Sequence, residues 1–96
     1  MSQIVAGNFP NKAQADSAIQ ALLSAGIGAE HICTFREAAR PAGVLVAVEA
    51  RLALERAFAA DVLRQRGARD VEETEGIWEG GSWVDFDPTP EKHLRE

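Results

Sequence analysis

Two side chains that can do chemistry at neutral pH, His31 and Cys33, lie two positions apart in a segment that favours a β-strand. On a strand both would project from one face and could offer two ligands to a metal ion. Two ligands do not complete a site, because the other histidine, His93, lies in the C-terminal tail and the sequence has one cysteine. We therefore predict no metal site and no cofactor, with Cys33 as a small buried side chain and His31 near the surface.

Nucleophilic chemistry at Cys33 would require a thiol pKa lowered by nearby positive charge or by a helix N-terminus. Arg36 lies three residues further on, so on a strand it points to the opposite face. The serines lack the sequence context of a nucleophile elbow, and neither histidine is obviously placed to serve one. We predict no catalytic residues and a non-enzymatic protein.

Carboxylates are concentrated from the fourth predicted strand onward. They could bind Ca²⁺ or Mg²⁺ or act as an acid/base pair, but their spacing is not that of an EF-hand. Charges on an edge strand discourage edge-to-edge pairing, so we predict a solvated edge. These residues are Glu72, Glu73, Glu75, Glu79, Asp85 and Asp87.

Residues 7–12 join a strand to a helix N-terminus, where backbone N–H groups can hold an anion. They lack the spacing of a Walker loop or of a dinucleotide fingerprint, which favours an ordinary connecting loop.

Charge and hydropathy exclude two classes of partner. The formal net charge of -5 opposes contact with a phosphate backbone, so we expect no nucleic acid. No apolar run approaches the roughly 20 residues that span a membrane, and no signal peptide opens the chain, so we expect a cytoplasmic protein.

The elements that must position these side chains follow the order β-α-β-β-α-β. Strands are predicted over residues 3–9, 31–36, 44–48 and 70–75, the third of them central and the fourth at an edge. The first helix has Asn11 as its N-cap with Gln14 as capping-box partner and ends at Gly26. The second spans about residues 52–66 and ends at Gly67.

An internal repeat supports this order. Residues of one type recur at a constant offset of 41 residues, as from Val5 to Val46, in positions that would play equivalent roles. The other pairs are Ala6 with Ala47, Ala18 with Ala59, Leu22 with Leu63, and Gly26 with Gly67. Two such units predict a ferredoxin-like α+β sandwich, a four-stranded antiparallel sheet with two helices on one face.

Residues 77–84 predict a C-terminal β-hairpin, because Gly80-Gly81 suits a type I′ turn and would place Trp78 opposite Trp83. We expect one domain over residues 1–88 and a charged flexible tail over residues 89–96.

The chain resembles the bacterial general-stress or heat-induced stress protein family, small domains of unestablished activity. Two segments carry the resemblance: Val5-Ala6-Gly7 leading into a helix that ends at residues 21–26 (Ala-Leu-Leu-Ser-Ala-Gly), and the paired-tryptophan stretch of residues 78–88, which ends Phe-Asp-Pro. The resemblance implies a ferredoxin-like fold and an association with stress, with no catalytic residues to carry over.

Both faces of the predicted sheet are apolar, although helices would cover only one. We expect the other face to meet a second copy, giving a homodimer that works by association, or to be sealed by the hairpin in a monomer. A third hypothesis makes it the floor of a dimeric α+β barrel that binds an apolar ligand or performs cofactor-light oxidation, with His31 as the acid/base group. The candidate ligand-binding or interface residues are Ile4, Ala6, His31, Cys33, Leu45, Ala47, Trp78, Trp83 and Phe86.

Overall fold

A computed structural model of the protein describes residues 2–36 and 43–85. It shows an α+β fold in which two helices pack on a four-stranded antiparallel sheet. The predicted site residue Phe86, the loop at Pro41, the domain boundary at residue 88 and the tail over residues 89–96 lie outside the described residues.

The order of elements along the chain is the predicted one. The sheet strands are β1 (Ser2–Phe9), β2 (Ile32–Arg36), β3 (Val44–Glu49) and β4 (Arg69–Gly76), and the helices are α1 (Lys12–Ser24) and α2 (Ala53–Gln65). Two short strands follow, β5 (Trp78–Glu79) and β6 (Ser82–Trp83), which pair with each other.

The sheet has the strand order β2-β3-β1-β4, so the predicted central strand β3 lies inside and the predicted edge strand β4 lies at an edge. Residues Leu45 to Val48 of β3 are buried on both faces, as their continuous apolar run predicts. The other strands differ from their predicted bounds by at most one residue at an end, and β2 begins at Ile32 rather than residue 31 because residues Ala29–His31 form a single 3₁₀ turn. His31 therefore precedes the strand on which it was expected.

Helix α1 begins where its capping residues predict. The Asn11 side chain accepts a hydrogen bond from the backbone N–H of Gln14 at 2.9 Å, which satisfies one free amide of the first turn. The Gln14 side chain accepts from the amide of Asn11 at 3.2 Å. This bond to a side chain replaces the backbone contact of a standard capping box.

Both helices end in the same Schellman motif. Gly26 and Gly67 each have a φ of 101°, a left-handed conformation that glycine adopts without steric cost. Ile27 N–H then bonds to the carbonyl of Leu22, and Ala68 N–H to that of Leu63, at 3.1 and 2.9 Å. The internal repeat therefore extends to the hydrogen bonds of the helix ends.

The main core lies between the sheet and the helices. The repeated pairs meet there, since Val5, Val46, Leu22 and Leu63 are all 0% exposed. Ala18 and Ala59 are equally buried and keep the helices close to the strands.

We predict that Leu63→Ala lowers the free energy of unfolding by about 2 to 5 kcal/mol, because it leaves a cavity in this core. Urea denaturation followed by circular dichroism measures the change. Leu54→Ala removes the same atoms from a side chain that is 85% exposed and should change it by less than about 0.5 kcal/mol. Equal losses in the two variants would contradict the assignment of the core.

Candidate functional site

The face of the sheet opposite the helices is covered by residues that follow β4. Strands β5 and β6 pair with Trp78 opposite Trp83, and both indoles pack against this face. The covered residues are four of the predicted site residues, Ile4, Ala6, Leu45 and Ala47, which are 8% exposed or less. We call residues 77–85 the cover segment.

One hydrogen bond ties the cover segment to the rest of the domain, and another joins its two ends. The indole Nε1 of Trp78 donates to the carbonyl oxygen of Glu30 at 2.9 Å, which ties the segment to the turn before β2. The carboxylate of Asp85 accepts from the backbone N–H of Ile77 at 2.9 Å. Gly76 permits the close approach of Trp83, because a Cβ atom there would collide with the indole nitrogen.

Cys33 lies beneath the cover segment and packs against the covered face. Burial raises the pKa of its thiol, and hydrogen bonds from the Trp83 backbone and the Ser82 side chain offset this only in part. The thiol form is therefore favoured at neutral pH, which makes Cys33 a poor nucleophile and a poor metal ligand.

His31 lies in a different environment from Cys33, beside two carboxylates. Its Nδ1 lies 2.8 Å from Oε1 of Glu49 at the end of β3, and its Nε2 lies 3.6 Å from Oε2 of Glu30. Among the described residues, no three His, Cys, Asp or Glu side chains are grouped closely enough to hold a metal ion. The structure thus does not bring His31 and Cys33 into one ligand set.

A hydrogen-bonded chain links Ser2, Glu49 and His31. The Ser2 hydroxyl donates to Oε2 of Glu49 at 2.7 Å, and because a carboxylate can only accept, Nδ1 of His31 donates to Oε1. The carboxylate lies between the serine and the histidine, whereas a catalytic triad places the histidine between the other two. This order fixes the imidazole tautomer and does not activate Ser2 as a nucleophile.

The pKa of the Glu49 carboxyl lies below its ordinary value of 4.5. Partial burial raises this pKa, but hydrogen bonds from Ser2 and His31, the charge of His31 when its ring is protonated and the charge of Arg51 together outweigh the burial. Glu49 is therefore an ionised group held by its neighbours.

A groove of about 560 Å³ opens beside this chain, where the loop after α1, the end of β3 and the start of α2 converge. Its lining combines charged groups with two exposed apolar side chains of α2, Leu54 and Phe58. The lining residues are Ala25, Gly26, Ile27, Gly28, Glu30, His31, Glu49, Ala50, Arg51, Leu54, Glu55 and Phe58. Among the predicted site residues that the structure describes, His31 is the one that lines this groove.

A smaller concavity of about 260 Å³ lies over β1, β3 and β4, beside Trp83. Asn8 is among its lining residues, and Oδ1 of Asn8 is a buried atom that accepts no hydrogen bond from the described residues. Its rim carries Asp70 and Glu72, two of the carboxylates at the sheet edge.

Sequence reasoning missed most of the larger groove. Glu49 and Arg51 follow the apolar run of residues 44–48 and carry no motif, and Leu54 and Phe58 resemble the core positions of any helix. One signal was present: Leu54 and Phe58 lie four residues apart, a spacing that places them on one face of a helix.

No family model matches the chain, and comparisons with the curated proteins and with the solved structures found no match. None of the described helices is long and apolar enough to cross a membrane. The site must therefore be interpreted from its own geometry.

We predict that Trp83→Ala increases the rate of Cys33 labelling by a thiol reagent about tenfold or more, since each 1.4 kcal/mol lost from docking raises the open population tenfold. The chain has one cysteine, so the rate reports on this position alone. Val84→Ala, in the same segment at a side chain 52% exposed, should label at the wild-type rate. An unchanged rate in Trp83→Ala would show that the indole does not protect the thiol.

We also predict that ionised Glu49 stabilises the fold and that this contribution to the free energy of unfolding is lost in acid. Because its folded pKa is below the unfolded value, its contribution is complete above about pH 4.5 and is lost as the pH falls through the folded pKa. Glu49→Gln should be less stable than wild type near neutral pH and lose less stability on acidification. The free energy of unfolding of Ser2→Ala should lie between those of the other two proteins. Urea denaturation between pH 3 and pH 7 measures this free energy for all three. Identical slopes of the free energy against pH for wild type and Glu49→Gln would contradict this account.

Proposed function

We propose that this protein is a non-enzymatic domain that binds a small ligand in the groove beside His31 and Glu49. The observation that carries the proposal is the combination, in one concave site, of charged groups, of which Glu49 is held by hydrogen bonds, with the exposed side chains of Leu54 and Phe58. Ligand sites commonly combine apolar walls with a few placed polar groups, and about 560 Å³ is within their usual size.

Exposed apolar side chains on α2 support this choice of site. Leu54 is 85% exposed and Phe58 is 42% exposed, and both lie on the wall of the groove. Burying them against a ligand would remove apolar surface from water, which is the main source of affinity for small molecules.

We further propose that the domain is a ferredoxin-like sandwich with the cover segment as its C-terminal hairpin, and that it serves in a stress response. The strand order β2-β3-β1-β4 and the antiparallel pairing of all neighbouring strands support the first part. The paired tryptophans that support the resemblance to stress proteins are the residues that cover the sheet.

Homodimerisation through the second sheet face stays a prediction. Its candidate residues Ile4, Ala6, Leu45 and Ala47 are covered by the cover segment, so a dimer through this face would have to displace two indoles. The barrel hypothesis needs the same face as its floor, and it needs His31 to act there, whereas His31 bonds to Glu49 at the groove.

The ligand proposal is tested by adding a library of small molecules to the ¹⁵N-labelled protein and recording amide chemical shifts. Ligands should shift residues 25–31 and 49–58 together, because these two segments form the groove. Leu54→Ala should weaken binding about three- to tenfold by removing part of the apolar wall.

Leu52→Ala provides the matched control, since this leucine is 64% exposed but does not line the groove. Its affinities should equal those of wild type. Ligands that shift only the concavity at Asn8, or a protein that is dimeric by native mass spectrometry with all groove amides insensitive to ligand, would overturn the proposal.

A further inference from the structure

The composition of the groove indicates what kind of molecule it accepts. We infer that the ligand is an amphipathic organic cation, with an ammonium or guanidinium group directed to the carboxylates and an apolar portion packed on Leu54 and Phe58. This inference rests on the proposed function and adds the chemical class of the ligand.

Charge complementarity is the first argument. The lining contains three carboxylates, Glu30, Glu49 and Glu55, against one guanidinium, Arg51, which leaves a formal charge of -2 while His31 is neutral. An anionic ligand would face net repulsion in this groove, and a cation would face net attraction.

The single positive charge in the lining, Arg51, forms no ion pair with Glu30 or Glu55. Arg51 acts on Glu49, whose carboxylate also accepts hydrogen bonds from Ser2 and His31. Within the described part of the chain, Arg51 and Glu55 take part in no ion pair, and Glu30 has only the contact of 3.6 Å to His31. Two carboxylates, those of Glu30 and Glu55, therefore remain largely uncompensated at the groove.

The apolar wall gives the second argument. A small hydrated cation such as Na⁺ gains nothing from a leucine and a phenylalanine, whereas an organic cation can bury its carbon skeleton against both. The ring of Phe58 also offers a π face, which attracts an organic cation electrostatically. Charge and apolar surface together select a molecule that has both.

The smaller concavity at Asn8 is a weaker candidate for such a ligand. It is also acidic, and Leu45 and Trp83 are among its lining residues, but at about 260 Å³ it is less than half the size of the groove. Its size therefore favours the larger groove for a cation with an apolar portion.

Three probes of similar shape and different charge test the inference: 2-phenylethylamine, 2-phenylethanol and 3-phenylpropionate. Titration of each into the ¹⁵N-labelled full chain at low salt gives an affinity and the set of shifted amides. The amine should bind most tightly at residues 25–31 and 49–58, and its affinity should fall as salt is added, because surface charges are screened.

Single charge changes provide an internal check on the amine. Glu55→Gln should weaken its binding about threefold, and Arg51→Gln should strengthen it by a similar factor, since exposed charges contribute about this much. Glu72→Gln removes one carboxylate from β4, outside the groove, and should leave the affinity unchanged.

Two outcomes would overturn the inference in different ways. Preferential binding of 3-phenylpropionate or 2-phenylethanol at the groove amides would refute the cation and leave the proposed function in place. Failure of all three probes to shift those amides at millimolar concentration would count against the cation and the ligand-binding groove together.

Discussion

The structure depends on how a sheet with two apolar faces is shielded from water when both of its helices lie on one side. Val5, Val46 and Val48 face the helices, while Ile4, Leu45 and Ala47 face away from them, and each set forms its own buried cluster. Exposure of the second cluster would leave a large apolar patch, which folded monomers rarely carry. Trp78 and Trp83 supply the missing layer, and the position of Cys33 and the need for Gly76 follow from it.

Because this face is covered, the candidate site lies at one end of the sheet instead. The turn before β2 and the end of β3 meet there, so that His31 and Glu49 come into contact although they lie on separate segments. Glu30 belongs to both regions, because its carbonyl holds Trp78 and its carboxylate lines the groove. The cover segment and the groove are consequently built on a common turn.

Local signals predicted much of the fold and little of the site. Asn11 and Gly26 act through contacts within a few residues of the chain. Leu22 and Leu63 repeat because each is the leucine that its helix buries in the core. The groove depends on contacts between distant segments, such as Ser2 with Glu49, which have no periodicity in the sequence. Leu54 and Phe58 were indistinguishable from core residues until the packing of α2 showed which of its faces is buried.

The place of the cover segment along the chain has a consequence for synthesis. Residues 77–85 follow all four strands of the sheet, so the ribosome makes every strand before it makes the indoles that cover them. A nascent sheet would present Ile4, Leu45 and Ala47 to the cell during that interval, and exposed apolar surface of this kind promotes aggregation and attracts chaperones. The length of that interval depends on how quickly the cover segment leaves the ribosome and docks.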